Sequence, residues 1–553
     1  MGGAALDEPR GVCLAARRLS EALHGSQCMD DLSSALSLVV IGIVALAFVS
    51  ASPSGRSKRA LDPLLDPCRR VLLALFPWCR FSPAWRWALL PGRHEEEDAT
   101  SYREETHRHL VAQHDRHGDI FVTRRRGQTI LFVRSPLAVR GVLLSKDFAK
   151  VWVTDGKAVR NPVAEYVHNL VQPLLTDPIF SKKGASNVDA REMVKPLFLG
   201  SNLFASGFAA EVDAALASWP AGGEEVDVLT LVHEVIRRAL YHAIAGPGAR
   251  KLHAIATPAF HKALDYFVTR YQMPSHDQEV SADDEAMMST LHNAAIEVVA
   301  AVRALHSHEP DVATALPKRT LLALMFDADC TDAEAAAVVV NTVIAGAEAP
   351  ASALAHTLHE LARRPDLMCQ LHEEVASAVA PGGDVAAVLD KLPLVKGCVL
   401  EGLRLFAPAT LVKRQALCDT HVDGVAVPRG TVVELCVTAI HRDPKQYPQP
   451  LQFEPQRPGP EMAPVLGKAR SFMPFSGGLR GCPGRPLALT IMRITLASIV
   501  QRFMLRAAEE EHAAEVPVAA RAQPEIADMR VRKFILWPAA GVPLRLEKRV
   551  KSS

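Results

Sequence analysis

Apolar and polar positions follow different rules in different parts of the chain. From Leu32 to Ala51 the run LSSALSLVVIGIVALAFVSA carries no charge. About 20 residues at about 1.5 Å each cross a bilayer core, so the run predicts a membrane anchor. Asp30 and Asp31 precede it and Arg56, Lys58 and Arg59 follow, which places the large C-terminal part in the cytosol. Val49-Ser50-Ala51 also fits a signal-peptide cleavage site, but the length of the run and the basic stop after it favour an anchor. Between Pro63 and Pro91, Trp78, Trp85 and Trp87 alternate with prolines and arginines, a composition suited to a membrane interface or to a hydrophobic linker packed on the main domain.

Past the acidic patch HEEED at 94–98 the period becomes helical. The layout expected is an N-terminal extension at 1–31, an anchor at 32–51, a basic Pro- and Trp-rich linker at 52–97 and one large domain at 98–553. DIFVTRRRGQTILFV, from Asp119 to Val133, has two β-rich pieces around Arg124 to Gly127 and predicts a hairpin. Alanine- and leucine-rich stretches make the bulk of 203–380 helical. HVDGVAVPRGTVVELCVTAI at 421–440 returns to β-branched alternation and predicts a small second sheet, and a helix follows Pro486. The fold class is therefore mainly α with small β-sheets, in a single large domain.

Lys plus Arg number 62 against 61 for Asp plus Glu, so no overall field recruits nucleic acid. The ten cysteines form no CxxC pair, which suits a reducing compartment better than a disulfide scaffold. Histidines at 94, 107, 109, 114 and 117 sit in charged, irregular surroundings that predict a solvated first helix and not a metal site. No GxGxxG or GxxxxGK[ST] occurs, so electrons for any redox step come from another protein.

The chemistry is carried by Phe475-Ser-Gly-Gly478-Leu-Arg480-Gly-Cys482-Pro-Gly484. Glycines on both sides of one cysteine let a turn approach a flat cofactor, and a nearby guanidinium can pair with an anionic group on it. A helix starting near Pro486 aims its N-terminal amides at the sulfur and favours thiolate. This stretch resembles the haem-binding signature F-x-x-G-x-R-x-C-x-G of the cytochrome P-450 family, at all its fixed positions. Glu401-Gly-Leu-Arg404 matches that family's E-x-x-R, one helical turn apart, and Arg457 in FEPQRP falls at the third member of the same ion network. Pro408 to Asp419, VPRGT at 427–431 and His441-Arg-Asp-Pro444 follow the family's strand-rich segment, so the resemblance covers about residues 100–549.

The resemblance also implies site residues. Arg191 falls at the arginine of the W-x-x-x-R helix that binds a haem propionate, with Asn187 replacing the tryptophan. Arg414 is a second candidate of that kind, with Lys413 as its alternative. In VVVNTVIAGAEAPASALAHTLHEL, Ala345, Gly346 and Glu348 match (A/G)-G-x-(D/E)-T-T of the oxygen-binding groove, while Ala349 and Pro350 replace both threonines. Alanine and proline cannot pass on a proton. Pro350 has no N–H, so the helix should bend and the Gly346 carbonyl is freed to hold water or a substrate hydroxyl. Thr342 and Ser352 are the substitute hydroxyls on offer, although each is expected to bond backbone or pack. Ile491 departs from the acidic residue often found after the cysteine.

By resemblance, the expectation is a haem b (iron protoporphyrin IX) enzyme with Cys482 as axial ligand to the iron. It inserts one oxygen atom of dioxygen into an apolar small molecule. Its electrons come from NADPH through cytochrome P-450 reductase, with cytochrome b5 as a further donor, at the endoplasmic reticulum or a plastid membrane. The lost threonines raise an alternative, a reductase-independent enzyme that rearranges or dehydrates hydroperoxides. A further alternative is a haem-binding protein that has lost catalysis. Segments 150–180, 252–282 with Phe260, Tyr266 and Phe267, 341–353 and 407–412 are expected to line an apolar pocket.

Overall fold

The structure is a computed structural model that describes residues 106–549, apart from 126–127, 150–151, 155–156, 160–183, 201–203, 221, 247–261, 265, 267–280, 309–318, 381–382, 458–470, 508–528, 533–534 and 539–540. The anchor expected at 32–51, the Trp-rich linker, the acidic patch, the domain boundary at 98, Phe260, Phe267 and most of the first two expected pocket segments lie outside the described residues.

Helix α1 (Thr106–His117) leads into strands β1 (Ile120–Arg125) and β2 (Gln128–Val133), which pair antiparallel with Arg125 opposite Gln128, as the hairpin pattern predicts. The helix is not solvated on every side. His114 is fully buried and edge-on to Phe121, and its Nδ1–H donates to the Gly118 carbonyl at 2.9 Å. Desolvation lowers its pKa to about 4, so the ring is neutral. Ser135 caps α2 (Pro136–Leu144), whose first residue is proline, and β3 (Phe148–Ala149) and the small hairpin β4 (Trp152–Thr154) and β5 (Lys157–Val159) follow.

The helical bulk is α3 (Gly184–Leu199), α4 (Ala205–Leu216), α5 (Val228–Ala245), α6 (Ala282–His308), α7 (Leu321–Asp327), α8 (Asp332–Ala362), α9 (Pro365–Ala378) and α10 (Pro393–Leu405), interrupted by strand β6 (Gly222–Asp227). Local signals set the boundaries. Asp227 accepts from Leu229 N at 3.1 Å to open α5, and Thr331 and Glu334 form a capping box that opens α8. Helix α8 runs unbroken from Asp332 to Ala362 with Pro350 inside it. Its small side chains let neighbours come close: a Cβ on Gly346 would lie 2.9 Å from Leu240 Cδ2 on α5. Ile236 and Leu240 of α5 are almost wholly buried in the same core, each worth about 1.5–3 kcal/mol of apolar burial. By length and composition alone, α8 is the one described helix able to cross a membrane, and it lies largely buried in that core.

Strands β7 (Leu411–Ala416), β8 (Thr420–Val422), β9 (Val425–Val427) and β10 (Val432–Cys436) follow, then the short α11 (Val437–His441). The small second sheet expected here is met by two strands alone. Only β8 and β9 form their own hairpin, while β10 lies parallel to β2 and joins the first sheet in the order β1-β2-β10-β7-β3. Strand conformation also ends at Cys436, because Val437–His441 turns into helix under tertiary packing despite its β-branched pattern. Helix α12 (Arg485–Arg502) starts one residue before Pro486 and is buried on nearly every side, with Ile491 at 2% exposure as one of its core contacts. Strands β11 (Phe503–Ala507), β12 (Met529–Arg532), β13 (Ile535–Pro538) and β14 (Pro543–Lys548) close the chain, with β14 between β11 and β6.

Candidate functional site

The cysteine loop is built by backbone bonds. Ser476 N donates to Met473 O at 3.0 Å, Gly481 N to Gly478 O at 3.1 Å and Cys482 N to Phe475 O at 2.9 Å. Phe475 packs against the main core beneath it. The two motif glycines do different work. Gly478 has φ +68°, and a Cβ there would fall 2.1 Å from the Leu143 carbonyl, so this glycine seats the loop on the end of α2. Gly484 has φ −77°, and its Cβ would meet Phe198 at 3.6 Å and Cys482 Sγ at 3.9 Å, which are ordinary contacts. Gly478 therefore has a packing role against α2 that the motif alone does not show.

Cys482 precedes the N-terminus of α12 with its side chain accessible. The protein around the sulfur still desolvates it enough to push the thiol above its ordinary pKa. The N–H groups of Gly484 and Arg485 and the charges of Arg191 and Arg485 pull it back towards thiolate.

Three guanidinium groups gather beside this loop. Arg191 on α3 donates Nη2–H to the Gly481 carbonyl at 2.6 Å. Burial and then the charge of Arg191 lower the pKa of Arg480, and burial and then the charge of Arg480 lower Arg414 to about 10. Strand alternation decides between Arg414 and Lys413. Lys413 points to the opposite face and pairs with Glu434 across the ladder at 2.9 Å, leaving Arg414 on the side of Arg480. An accessible cysteine at a helix N-terminus, with three cations in one another's field, is a donor set that fits a haem: a soft ligand for iron and charges for two propionates.

Residues 97–518 match the family model for cytochrome P-450. The chain belongs to the cytochrome P-450 family. Human mitochondrial 25-hydroxyvitamin D-1 alpha hydroxylase is 36% identical over 171 residues, 30% of this P-450 and 33% of the relative. Beta-amyrin 24-hydroxylase of Glycine max is 34% identical over 184 residues, 32% of this chain and 36% of the relative. The chain thus spans about a third of the length of these two relatives. Cyclooctatin synthase of Streptomyces melanosporofaciens is 27% identical across 70% of this chain and 83% of the relative. The crystal structure of the cytochrome P450DA heme domain superposes with a TM-score of 0.63 at 19% identity, covering 81% of this chain and 93% of that one, and shows the shared P-450 fold. Family membership implies a haem-thiolate cofactor, and the residues around Cys482 fit it.

On the central helix of this P-450, the groove residues separate by face. Ala345 is exposed in the middle of a mostly buried helix, and Ala349, one turn on, is half-buried on the same stripe. Glu348, next to Ala349 in the chain, is buried, with Oε1 3.0 Å from His233 Nε2 on α5. Neither substitute hydroxyl replaces the missing threonine. Thr342 donates to Val338 O at 2.8 Å within its own helix, and the fully buried Ser352 donates to Leu536 O on β13. Asn341 likewise returns its amide N–H to Ala337 O at 2.7 Å.

Glu401, Arg404 and Arg457 meet as the sequence predicts. Arg457 Nε donates to Glu401 Oε1 at 2.9 Å, and the Arg404 guanidinium also reaches the carbonyls of His441 and Pro450 at 2.8 and 2.7 Å. The roles of two histidines escaped sequence reasoning. His441 is fully buried, takes Met473 N–H on Nε2 at 2.9 Å and donates Nδ1–H to Arg404 O at 3.1 Å, tying the ion network to the cysteine loop. His233 carries no motif at all, since it is one polar position in an amphipathic helix.

Proposed function

We propose that this chain is a haem-thiolate monooxygenase that inserts one atom of dioxygen into an apolar small molecule. The observation that carries this reading is the accessible Cys482 sulfur at the head of α12 beside Arg191, Arg480 and Arg414. Cys482 is the iron ligand, the three arginines bind the propionates of haem b, and Ala345, Gly346 and Glu348 border the oxygen-binding groove. Glu401, Arg404 and Arg457 hold the scaffold under the loop. Thiolate-ligated haem supplies the oxygen-activating chemistry when bound. The chain's own residues orient the substrate, exclude water and hold the proton at Glu348. Electrons come from NADPH through a membrane-bound cytochrome P-450 reductase, with cytochrome b5 as a second donor. The segment 32–51 anchors the domain 98–553 to the cytosolic face of the endoplasmic reticulum, where lipophilic substrates concentrate.

The test is the carbon monoxide spectrum of the reduced, purified chain. A red-shifted thiolate band that disappears in Cys482→Ser supports the assignment, and an identical spectrum in that variant defeats it.

A second reading is favoured by the helix itself. Ala349 and Pro350 offer no hydroxyl, and Thr342 and Ser352 are committed to backbone carbonyls. A hydroperoxide substrate brings its oxygen–oxygen bond ready-made and does not need that hydroxyl. Many turnovers of a fatty-acid hydroperoxide to one product, without NADPH or reductase, would select this reading. Slow bleaching without a defined product would select the monooxygenase.

A further inference from the structure

We propose that His233 supplies protons to the haem side of the site, acting through Glu348 as a positioning and relay residue. The inference rests on the haem-thiolate reading and adds to it a residue on a different helix.

Three observations converge on His233. First, its Nε2 lies 3.0 Å from Glu348 Oε1, within hydrogen-bond range, and so joins α5 to α8. Second, the pair forms a gradient of access. The His233 side chain is 20% exposed and that of Glu348 8%, so a proton taken up at the imidazole passes inward to the carboxylate. Third, the helix offers no other carrier. Between Thr342 and Ser352 of α8, Glu348 is the single ionisable side chain, and both hydroxyls donate to carbonyls.

Glu234, beside His233 on α5, is engaged by Arg237 and, at 2.8 Å, by Arg238. A ring nitrogen within hydrogen-bond distance of a carboxylate is placed to pass a proton to it once per cycle. In each cycle one proton leaves His233 Nε2 for Glu348 Oε1, and the imidazole regains one from solvent. With hydrogen peroxide as the oxidant, Glu348 passes that proton to the departing hydroxyl, which leaves as water with the electron pair of the broken oxygen–oxygen bond, while the proton on the retained oxygen is released to solvent. No electron passes through either residue.

Peroxide-driven oxidation of a phenolic dye by the purified, haem-loaded full chain tests this without a redox partner. One hydrogen peroxide and two phenols give two waters and two phenoxyl radicals. Glu348→Gln is expected to slow this by about 10²-fold, and His233→Gln, which keeps an N–H but cannot carry a proton, by at least about tenfold. The solvent deuterium isotope effect is expected to rise in His233→Gln, a change that a packing role would not produce. A readout independent of turnover is the nitrogen-15 spectrum of the histidines in the reduced, carbon-monoxide-bound chain. An exchange-protected ring N–H that vanishes in His233→Gln and shifts in Glu348→Ala supports the pairing.

Unchanged rate and isotope effect in His233→Gln, with the thiolate band intact, overturn the proposal and leave the haem-thiolate reading standing. Loss of that band in the unsubstituted chain instead defeats the haem-thiolate reading on which it rests. Should His233→Gln fail to take up haem, His233→Asn gives the same two measurements with a shorter side chain.

Discussion

Arg404 and Glu401 meet through two bonds, Nη2 to Oε1 at 2.7 Å and Nε to Oε2 at 2.8 Å, with both side chains at 0% exposure. Glu401 Oε1 also accepts from Arg457 Nε and from Glu454 N at 3.0 Å, so one carboxylate is shared by two buried guanidinium groups, with the Glu454 carboxylate 3.3 Å from Arg457 as a second partner. Neutralising it strands those charges. Glu401→Gln is expected to cost about 3–5 kcal/mol, read as a lower denaturation midpoint. A loss below 1 kcal/mol would mean that the surrounding carbonyls suffice.

The glycines of the cysteine loop are expected to differ sharply. Gly478→Ala places a methyl against the Leu143 carbonyl at a left-handed backbone position and should cost at least about 1–3 kcal/mol. Gly484→Ala meets only ordinary contacts at φ −77° and should stay within about 0.5 kcal/mol. Thermal melts of the two variants side by side check the contrast.

Buried histidines predict acid lability. Desolvation lowers His441 to about 3 and His356 and His114 to about 4. Their ordinary value is 6.5, so below that pH the unfolded chain binds protons that the folded chain refuses. Their contribution is complete above about pH 6.5 and declines as pH falls towards 4 and 3, by up to about 1.4 kcal/mol per pH unit for each ring. Denaturation midpoints measured from pH 7.5 down to pH 5 should fall, and His441→Asn should make the decline shallower. An equal slope in that variant would remove His441 from the account.

Ala349→Thr returns a hydroxyl to the stripe that carries the exposed Ala345. In a dioxygen-dependent enzyme it should lower hydrogen peroxide release per NADPH consumed, by about tenfold if the hydroxyl joins the proton path. Peroxide assays in a reductase-reconstituted system measure this. Unchanged leakage would fit a protein whose chemistry never called on that hydroxyl.

Much of the molecule was legible in order along the chain. The hairpin at Ile120–Val133, the helical bulk, the helix after Cys482 and the meeting of Glu401, Arg404 and Arg457 all rest on short-range periodicity or on motif spacing. What misled was local pattern subject to distant packing. Val437–His441 is β-branched yet helical, β10 joins the far hairpin as well as its neighbour β7, and α1 buries a histidine that its charged surroundings made look solvated.

The sequence alone determined the cysteine loop, the helix that follows it and the absence of threonine at 349 and 350, because each is written in a few adjacent residues. Tertiary structure decided which groups face one another. Strand alternation became informative only once β10 supplied Glu434 opposite Lys413 and so turned Arg414 towards Arg480. The 115 positions between His233 and Glu348 are closed by the packing of α5 on α8, and no spacing rule reaches that far. Covalent neighbours fix a turn or a helix start, whereas a proton's route depends on distances that exist only after the core has formed.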